Sequence, residues 1–196
     1  MTIYAHAICT LAEAKAWIMP DDVSTTYDAT ITNLINGVTD LIEDYCRTQI
    51  KARTLDTDET FDGNGECFHR TNNIPIITVT SISIENHTAP NVSPSANQVR
   101  IDYAAGIIWL LADVFANAYP QNCVVHYRGG YATVPAPVWQ VCLDEVRRFY
   151  HLWSSNADAP AIASRSAQGE TVTYVLEKGL SGDARARLQP YRNLAR

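Results

Sequence analysis

The sequence predicts an α+β fold, in which a small helical bundle carries an inserted antiparallel β module and an extended C-terminal arm. Three observations support this. Amphipathic helical periodicity occurs near the start of the chain and again near residues 135–155. The region from about 51 to 128 is rich in β-branched residues and turn signals. Residues 157–196 contain few large apolar side chains, so we divide the chain into a body, 1–156, and a C-terminal docking arm, 157–196. In the arm, residues 162–167 and 171–176 are expected to pair as a hairpin, and residues 182–189 are expected to form a short helix.

The two N-terminal helices have the clearest local signals. Thr10 and Glu13 form a capping box for a short helix over residues 10–19, which ends at the Pro20-Asp21-Asp22 break. A longer helix is predicted over residues 25–47, because its apolar side chains recur every three or four positions. These side chains are Tyr27, Ile31, Leu34, Ile35, Val38, Leu41, Ile42 and Tyr45.

The β module is predicted to span residues 51–128 and to contain two hairpins. Residues 54–61 and 66–71 flank a glycine-rich turn and are expected to pair with each other. Residues 99–103 and 107–111 are expected to form the second hairpin. Since residues 107–111 are apolar without alternation, we expect both faces of that strand to be buried. Two further strands are predicted over residues 78–85 and 122–128.

A double-glycine turn links the last of these strands to the third helix. Gly129 and Gly130 allow backbone angles that other residues resist, and Pro135 presets the backbone angle for the start of a helix over residues 135–155. Gly129, Gly130 and Pro135 are interpreted as a hinge between the part of the chain that folds and the part that assembles.

The helix over residues 135–155 is apolar on two sides, and such a helix must be covered on two sides. A chain of 196 residues has few other elements that could pack against the second side. We therefore predict that a neighbouring subunit contacts Trp139, Leu143, Arg147 and Tyr150. One stripe contains Val138, Cys142, Val146, Phe149 and Trp153, and the other contains Trp139, Leu143 and Tyr150.

The charge of the chain is unevenly distributed. The formal net charge is −6, but residues 178–196 hold five basic residues and one acidic residue, a net +4, which leaves −10 for the rest. An acidic body argues against a protein that grips DNA through its body. A basic end favours an acidic partner, although the same arginines also fit a solvated helix face. No apolar run reaches the ~18 residues of a membrane span, and no secretory signal is recognisable.

The cysteines and histidines allow two chemical interpretations, and we expect neither. Cys67, His69, Cys123 and His126 are zinc-type ligands, but residues 123 and 126 point to opposite faces of a strand. A Cys–His hydrolase using His69, His126 or His151 lacks any local signature around a cysteine. Five cysteines in a chain without a secretory signal are expected to be free thiols. We expect no catalytic residue, metal or cofactor.

Several segments, in this order and spacing, resemble the head–tail connector adaptors of long-tailed bacteriophages, which form a ring directly beneath the portal. The β-rich insert is the most variable part of such proteins, so no residue role is transferred to it. The segments are the helix 11–19, Pro20-Asp21-Asp22, the helix 31–45 with Glu43-Asp44-Tyr45-Cys46-Arg47, Pro75-Ile76, Tyr127-Arg128-Gly129-Gly130-Tyr131, Val134-Pro135 and Leu188-Gln189-Pro190-Tyr191-Arg192.

The resemblance implies a structural protein of the virion, assembled in the host cytoplasm. Such adaptors form a homo-oligomeric ring, typically a dodecamer, around the channel through which DNA passes without sequence-specific binding. Their C-terminal segment reaches the portal, a stopper or tail-completion protein binds below, and no cofactor is needed. The portal-docking candidates on this basis are Val172, Tyr174, Leu176, Arg185, Leu188, Tyr191 and Arg192.

Two alternatives remain open on the sequence alone. One is a neck, stopper or tail-completion protein one layer further down, and the other is the small Cys–His hydrolase. The arm distinguishes the first alternative, because an adaptor would use it to bind the portal and a stopper would not. A thiol-reactive probe and a pH profile would test the second.

Overall fold

A computed structural model of the protein shows an α+β fold made of two compact units. We call them the helical unit, Met1–Tyr45 with Pro135–Pro190, and the β unit, Cys46–Val134 with Tyr191–Arg196. The structure describes residues 2–21, 24–85, 91–92, 98–111, 114–115, 120–155, 164–167, 170–173 and 179–193.

The predicted helices are confirmed, with small shifts at their ends. The capping box is present: the Thr10 hydroxyl accepts from the Glu13 N–H at 3.2 Å, and the Glu13 carboxylate accepts from the Thr10 N–H at 2.7 Å. No helix in the described part of the chain is long and apolar enough to cross a membrane. The helices are α1 (Leu11–Ile18), α2 (Asp28–Cys46), α3 (Ala136–Ser155) and α4 (Gly182–Leu188), and a 3-10 helix (Gln189–Tyr191) follows α4.

The helical unit is built around α3, which packs against both α1 and α4. Lys15 of α1 forms an ion pair with Asp28 of α2 at 2.7 Å, and the Tyr45 hydroxyl of α2 donates to the Arg185 carbonyl of α4 at 3.0 Å. The cover predicted to come from a neighbouring subunit is therefore supplied largely by the chain itself. The sequence analysis had assigned α4 to the arm, and contact of α3 with a neighbouring subunit stays a prediction.

The described strands form one four-stranded, one three-stranded and one two-stranded antiparallel sheet. The strand orders are β1–β7–β3–β4, β2–β6–β5 and β8–β9. The strands are β1 (Thr57–Phe61), β2 (Phe68–Arg70), β3 (Ile76–Ile84), β4 (Asn91–Val92), β5 (Val99–Asp102), β6 (Ile107–Leu110), β7 (Cys123–Gly129), β8 (Ser164–Ala167) and β9 (Glu170–Thr173).

The core of the β unit draws side chains from both of its sheets. Ile82 of β3 and Val125 and Tyr127 of β7 come from the larger sheet, while Ile108 and Leu110 of β6 come from the smaller one. All five are at most 3% exposed. Burial of this shared cluster is what holds the two sheets together.

Two of the three predicted hairpins are confirmed, and the third is wrong. β5 pairs with β6 as expected, and β8 pairs with β9 on either side of residues 168–169. β1 and β2, however, do not pair with each other, because β1 joins β7 and β2 joins β6. A glycine-rich turn with strands on both sides does not distinguish a hairpin from a crossing between two sheets.

Strand β6 also departs from the prediction. Ile108 and Leu110 are buried, but Trp109 is only half-buried and Leu111, just after the strand, is 59% exposed. The small sheet therefore has one core face and one accessible apolar face.

Candidate assembly site

A buried carboxylate, Glu59 of β1, links the two sheets of the β unit. It accepts a hydrogen bond from the Tyr127 hydroxyl of β7 at 2.5 Å and from the Asn72 backbone N–H at 2.8 Å. Its other oxygen lies 3.0 Å from Nε2 of His69 in β2. The Tyr127 hydroxyl in turn accepts from the Asn73 N–H at 2.9 Å. Sequence reasoning missed Glu59; the only available signal was an acidic residue on the apolar face of a strand.

The environment of Glu59 favours its charged form. Burial alone would raise the pKa of this carboxyl, but hydrogen bonds from His69, Tyr127 and Asn72 outweigh burial and hold the pKa below its usual range. Burial, and then the adjacent Glu59 charge, raise the pKa of Tyr127. The cluster is thus an anchor between sheets: Glu59 is only 6% exposed, and its two oxygens already bind three donors.

Most of the residues considered for chemistry are buried or contact other side chains. His126 Nδ1 lies 2.5 Å from the Asp58 carboxylate. Burial raises the pKa of the Cys123 thiol to about 11, which leaves little of the nucleophilic thiolate at neutral pH. All five cysteines are free, as predicted, and Cys67 alone among them is exposed. Within the residues that the structure describes, no group of three or more His, Cys, Asp or Glu side chains could hold a metal ion.

The Gly129–Gly130 turn is packed closely against neighbouring backbone, and its role as a hinge stays a prediction. A Cβ at Gly129 would lie 2.5 Å from the Asn73 carbonyl oxygen. Gly130 has φ of +97°, and a Cβ there would lie 3.0 Å from the backbone of Gln49 and Ala52. The Gly130 N–H also donates to the Pro75 carbonyl at 2.8 Å.

Pro135 stands at the start of α3. Its carbonyl accepts from the Val138 and Trp139 N–H groups, both at 3.0 Å. This agrees with the role predicted for a proline at a helix start. The boundary between the two units falls at Val134 and Pro135, beyond the glycine turn.

A second buried carboxylate, Glu145 of α3, holds the segment that precedes α4. It accepts from the Ser181 hydroxyl at 2.5 Å and from the Arg148 guanidinium at 2.5 and 2.9 Å. Arg148 also donates to the Gly179 carbonyl at 2.5 Å. Residues 179–181 are therefore fixed to the middle of α3, and Ser181 caps α4 by accepting from the Ala184 N–H at 3.2 Å.

The last described residues pack into the β unit. Asn193 is 1% exposed and its N–H donates to the Cys46 carbonyl at 2.7 Å. Its side-chain amide donates to the carbonyls of Asn72 at 2.9 Å and Thr71 at 3.4 Å. The Tyr191 ring meets the Tyr131 ring edge-on, with centroids 6.2 Å apart. Residues 179–193 thus belong to the folded units, although the sequence placed them in the arm.

The structure separates the portal-docking candidates into three groups. Leu188 is fully buried in the helical unit. Arg185 is exposed, and Tyr191 and Arg192 are half-buried. Val172 lies in β9, while Tyr174 and Leu176 fall outside the described residues. The docking role of the accessible candidates stays a prediction.

The intersubunit candidates on α3 divide in the same way. Leu143 is 1% exposed and Tyr150 is 7% exposed, so both side chains already pack within the helical unit. Trp139 is half-buried and Arg147 is exposed. The predicted contact with a neighbouring subunit therefore rests on Trp139 and Arg147.

Replacing Leu188 by alanine is expected to lower the free energy of unfolding by about 3 kcal/mol, since it removes a fully buried side chain from the α3–α4 contact. Arg185→Ala, on the exposed side of the same helix, is expected to change it by less than about 0.5 kcal/mol. Urea denaturation of both variants measures these values. Equal, small effects would mean that α4 is not part of the folded unit.

Two comparisons with known proteins found matches to this chain. The model of one protein family, described as head completion protein, matches residues 7–194. No curated protein sequence matches the chain. Among solved structures, it is similar to a chain from the neck of a native GTA particle computed with C12 symmetry. The TM-score is 0.63, the sequence identity is 15%, and the match covers 99% of this chain and 93% of that one.

Two further structures of the same kind match. A chain from the neck of an empty GTA particle computed with C6 symmetry gives a TM-score of 0.62 at 14% identity, covering 99% of this chain and 94% of that chain. A chain from the virion of a native gene transfer agent particle gives 0.59 at 14% identity, with the same coverages of 99% and 94%. At these identities the structural matches establish a shared fold.

Proposed function

The chain belongs to the head completion protein family and is a structural protein of the head–tail connection, and from this premise we propose that it forms the adaptor ring directly beneath the portal. The observation that carries the proposal is the family match over residues 7–194, which includes both the helical unit and the β unit. A match confined to one unit would have supported only a shared module.

The neighbouring structures support a ring. Their descriptions place the similar chains in a particle neck reconstructed with sixfold and twelvefold symmetry. A subunit that repeats around a rotation axis uses two different surfaces, one for each neighbour. We propose a homo-oligomeric ring of this kind, a dodecamer, around the DNA channel. The net charge of −6 suits a channel wall that does not retain DNA.

The portal contact is proposed for the segment between α3 and α4, residues 156–178, which includes the β8–β9 hairpin. This segment replaces the longer arm of the sequence prediction, because residues 179–193 pack into the two units. Val172, Tyr174 and Leu176 belong to the segment, and Arg185 is exposed on the adjacent helix. A hairpin that lies between α3 and α4 in the chain suits docking onto a separate ring.

The remaining parts of the proposal concern the other partners. A stopper or tail-completion protein binds below the ring, the protein performs no catalysis and needs no cofactor, and assembly takes place in the host cytoplasm. The competing candidate is a stopper one layer down. The segment 156–178 separates the two, because only an adaptor needs it to bind the portal.

Replacing residues 157–178 by a flexible linker is expected to abolish head–tail joining without unfolding the protein. The linker must connect Ser155, at the end of α3, to Gly179. Arg148 binds Gly179 at 2.5 Å, and Ser155 lies seven residues beyond Arg148, about 10 Å along the helix. A linker of about ten glycine and serine residues reaches at most ~33 Å and closes the gap. Deleting 157–196 instead would also remove α4 and Asn193. The measurement is the yield of joined particles when portal-bearing heads are mixed with tails.

The matched control is Gln140→Ala, at an exposed position of α3, which is expected to join normally. Circular dichroism and the melting temperature verify that the linker variant is folded. A folded linker variant that joins heads to tails as well as the wild type would contradict portal docking through this segment.

A further inference from the structure

The outer face of the small sheet β2–β6–β5 carries a groove of about 880 Å³ within the β unit. Phe68, Trp109 and Arg100 lie opposite one another on the three strands and so share this face. Phe68 is 41% exposed, and Leu111, at one end of the groove, is 59% exposed. Contiguous exposed apolar side chains of this kind mark interaction surfaces.

The residues of the groove have the composition of a protein-binding hot spot. Tryptophan, tyrosine and arginine dominate binding energy at protein interfaces, and the groove contains Trp109, Tyr103 and Arg100. Arg100 and Arg70 are both exposed on this face, and neither forms an ion pair with another residue in the described ranges. Asp102 also lines the groove, but its Oδ1 already accepts from the Ala104 and Ala105 N–H groups. The groove therefore fits an apolar side chain that is flanked by carboxylates.

The chain presents such a feature at another place on the β unit. Leu55 is 80% exposed, more than any other large apolar side chain in the described residues. Asp56 follows it, and the Asp58 side chain, on the edge strand β1, is 59% exposed. Leu55 lies beside the edge of the larger sheet, whereas the groove lies on the outer face of the smaller sheet, so one copy offers both halves of a contact on different surfaces.

We propose that Leu55 of one subunit, flanked by Asp56 and Asp58, inserts into the β2–β6–β5 groove of the next subunit around the ring. The inference deepens the proposed function and rests on its ring. A contact between two different surfaces is the kind that closes into a ring when it is repeated by rotation. Arg100 in the groove and Arg70 on the same sheet face are complementary in charge to the aspartates beside Leu55. Charge complementarity of this kind fixes the register of a contact.

The native cysteines make the contact directly testable. Cys67 lines the groove and is the exposed cysteine, while Cys9, Cys46, Cys123 and Cys142 are buried. In particles assembled with a Leu55→Cys variant, a short bis-maleimide is expected to join the introduced thiol of one subunit to Cys67 of the next. Denaturing gels should then show a ladder of dimers, trimers and larger species from one ring.

Two controls define the result. Leu55→Cys combined with Cys67→Ser should remain monomeric on the gel, and so should Gln140→Cys, which places a thiol at an exposed position of α3. In a separate experiment, Leu55→Asp is expected to reduce the amount of this chain in particles at least tenfold, while Gln140→Asp leaves it unchanged.

The outcomes separate this inference from the proposed function. If particles contain the Leu55→Cys variant in the neck but the gel shows only monomers, another partner covers the groove and the inference fails while the ring stands. If the wild-type chain is absent from the neck, the proposed function itself fails. A ladder that stops at dimers would also overturn the inference, because it indicates a two-fold contact.

Discussion

Replacing Glu59 by leucine is expected to lower the free energy of unfolding by about 4 kcal/mol, because breaking a buried charged cluster leaves its other members without partners. The Tyr127 hydroxyl, the Asn72 N–H and His69 Nε2 would all lose the acceptor that they bind at 2.5, 2.8 and 3.0 Å. Glu59→Gln keeps one acceptor oxygen and is expected to lose only about 1–2 kcal/mol. Urea denaturation followed by circular dichroism measures both.

The neighbouring residue Asp58 is the matched control. Its carboxylate lies 2.5 Å from His126 Nδ1, but the two side chains are 59% and 46% exposed. Exposed ion pairs contribute about 0–1 kcal/mol, so Asp58→Asn should have a small effect. If Asp58→Asn destabilised the fold as much as Glu59→Leu, burial of the cluster would not be the cause.

The Glu59 contribution is also expected to depend on pH. The pKa of Glu59 in the folded protein lies below its ordinary value of 4.5, so the ionised carboxylate stabilises the fold above that pH. This contribution is lost as the pH falls through the folded-state pKa. The stability difference between the wild type and Glu59→Gln should therefore be constant near neutral pH and shrink below pH 4.5. A difference that grew on acidification would contradict the assignment.

Replacing Gly129 by alanine is expected to lower the free energy of unfolding by about 3 kcal/mol, the upper range for added volume in a packed interior. The new Cβ would lie 2.5 Å from the Asn73 carbonyl oxygen and 2.6 Å from the Asn73 Cβ. Asn73 has little freedom to move, since its N–H donates to Tyr127 and its side-chain oxygen accepts from the Gln49 N–H at 3.2 Å. Thermal and urea denaturation measure the effect.

Gly37→Ala provides the opposite control. Gly37 lies inside α2, and a Cβ there would meet nothing within 4 Å. Alanine is favoured over glycine in a helix by about 1 kcal/mol, so this variant is expected to be more stable than the wild type. If Gly129→Ala were tolerated equally well, the turn would be able to shift, as the predicted hinge requires.

The sequence predicted the local elements of this protein well and their long-range partners poorly. Helix caps and apolar periodicity are encoded within a few residues, so α1 with its Thr10–Glu13 capping box, α2 and α3 followed directly from the pattern. Strand pairing depends on residues far apart in the chain. The partners of β1 and β2 lie in β7 and β6, and no local signal near the glycine-rich turn identifies them.

Prediction of the candidate site was also limited by contacts between residues far apart in the chain. Leu180, Ala184 and Leu188 repeat every four residues and are buried. In a basic segment, three small or medium-sized apolar side chains did not distinguish a packed helix from a solvated one. Glu59 and Glu145 were not singled out, because a buried carboxylate is recognisable only when its hydrogen-bond donors are known. The resemblance to connector adaptors came from the order of several short segments. The family match over residues 7–194 confirmed that resemblance.

The central claim is that this chain forms the ring directly beneath the portal. The most direct test is an electron cryo-microscopy reconstruction of the neck of particles that contain the chain. We predict twelve copies of the two-unit fold around the DNA channel in the layer that touches the portal, with the β8–β9 hairpin at the portal surface. A neck without this fold, or a ring one layer lower with no portal contact, would contradict the account.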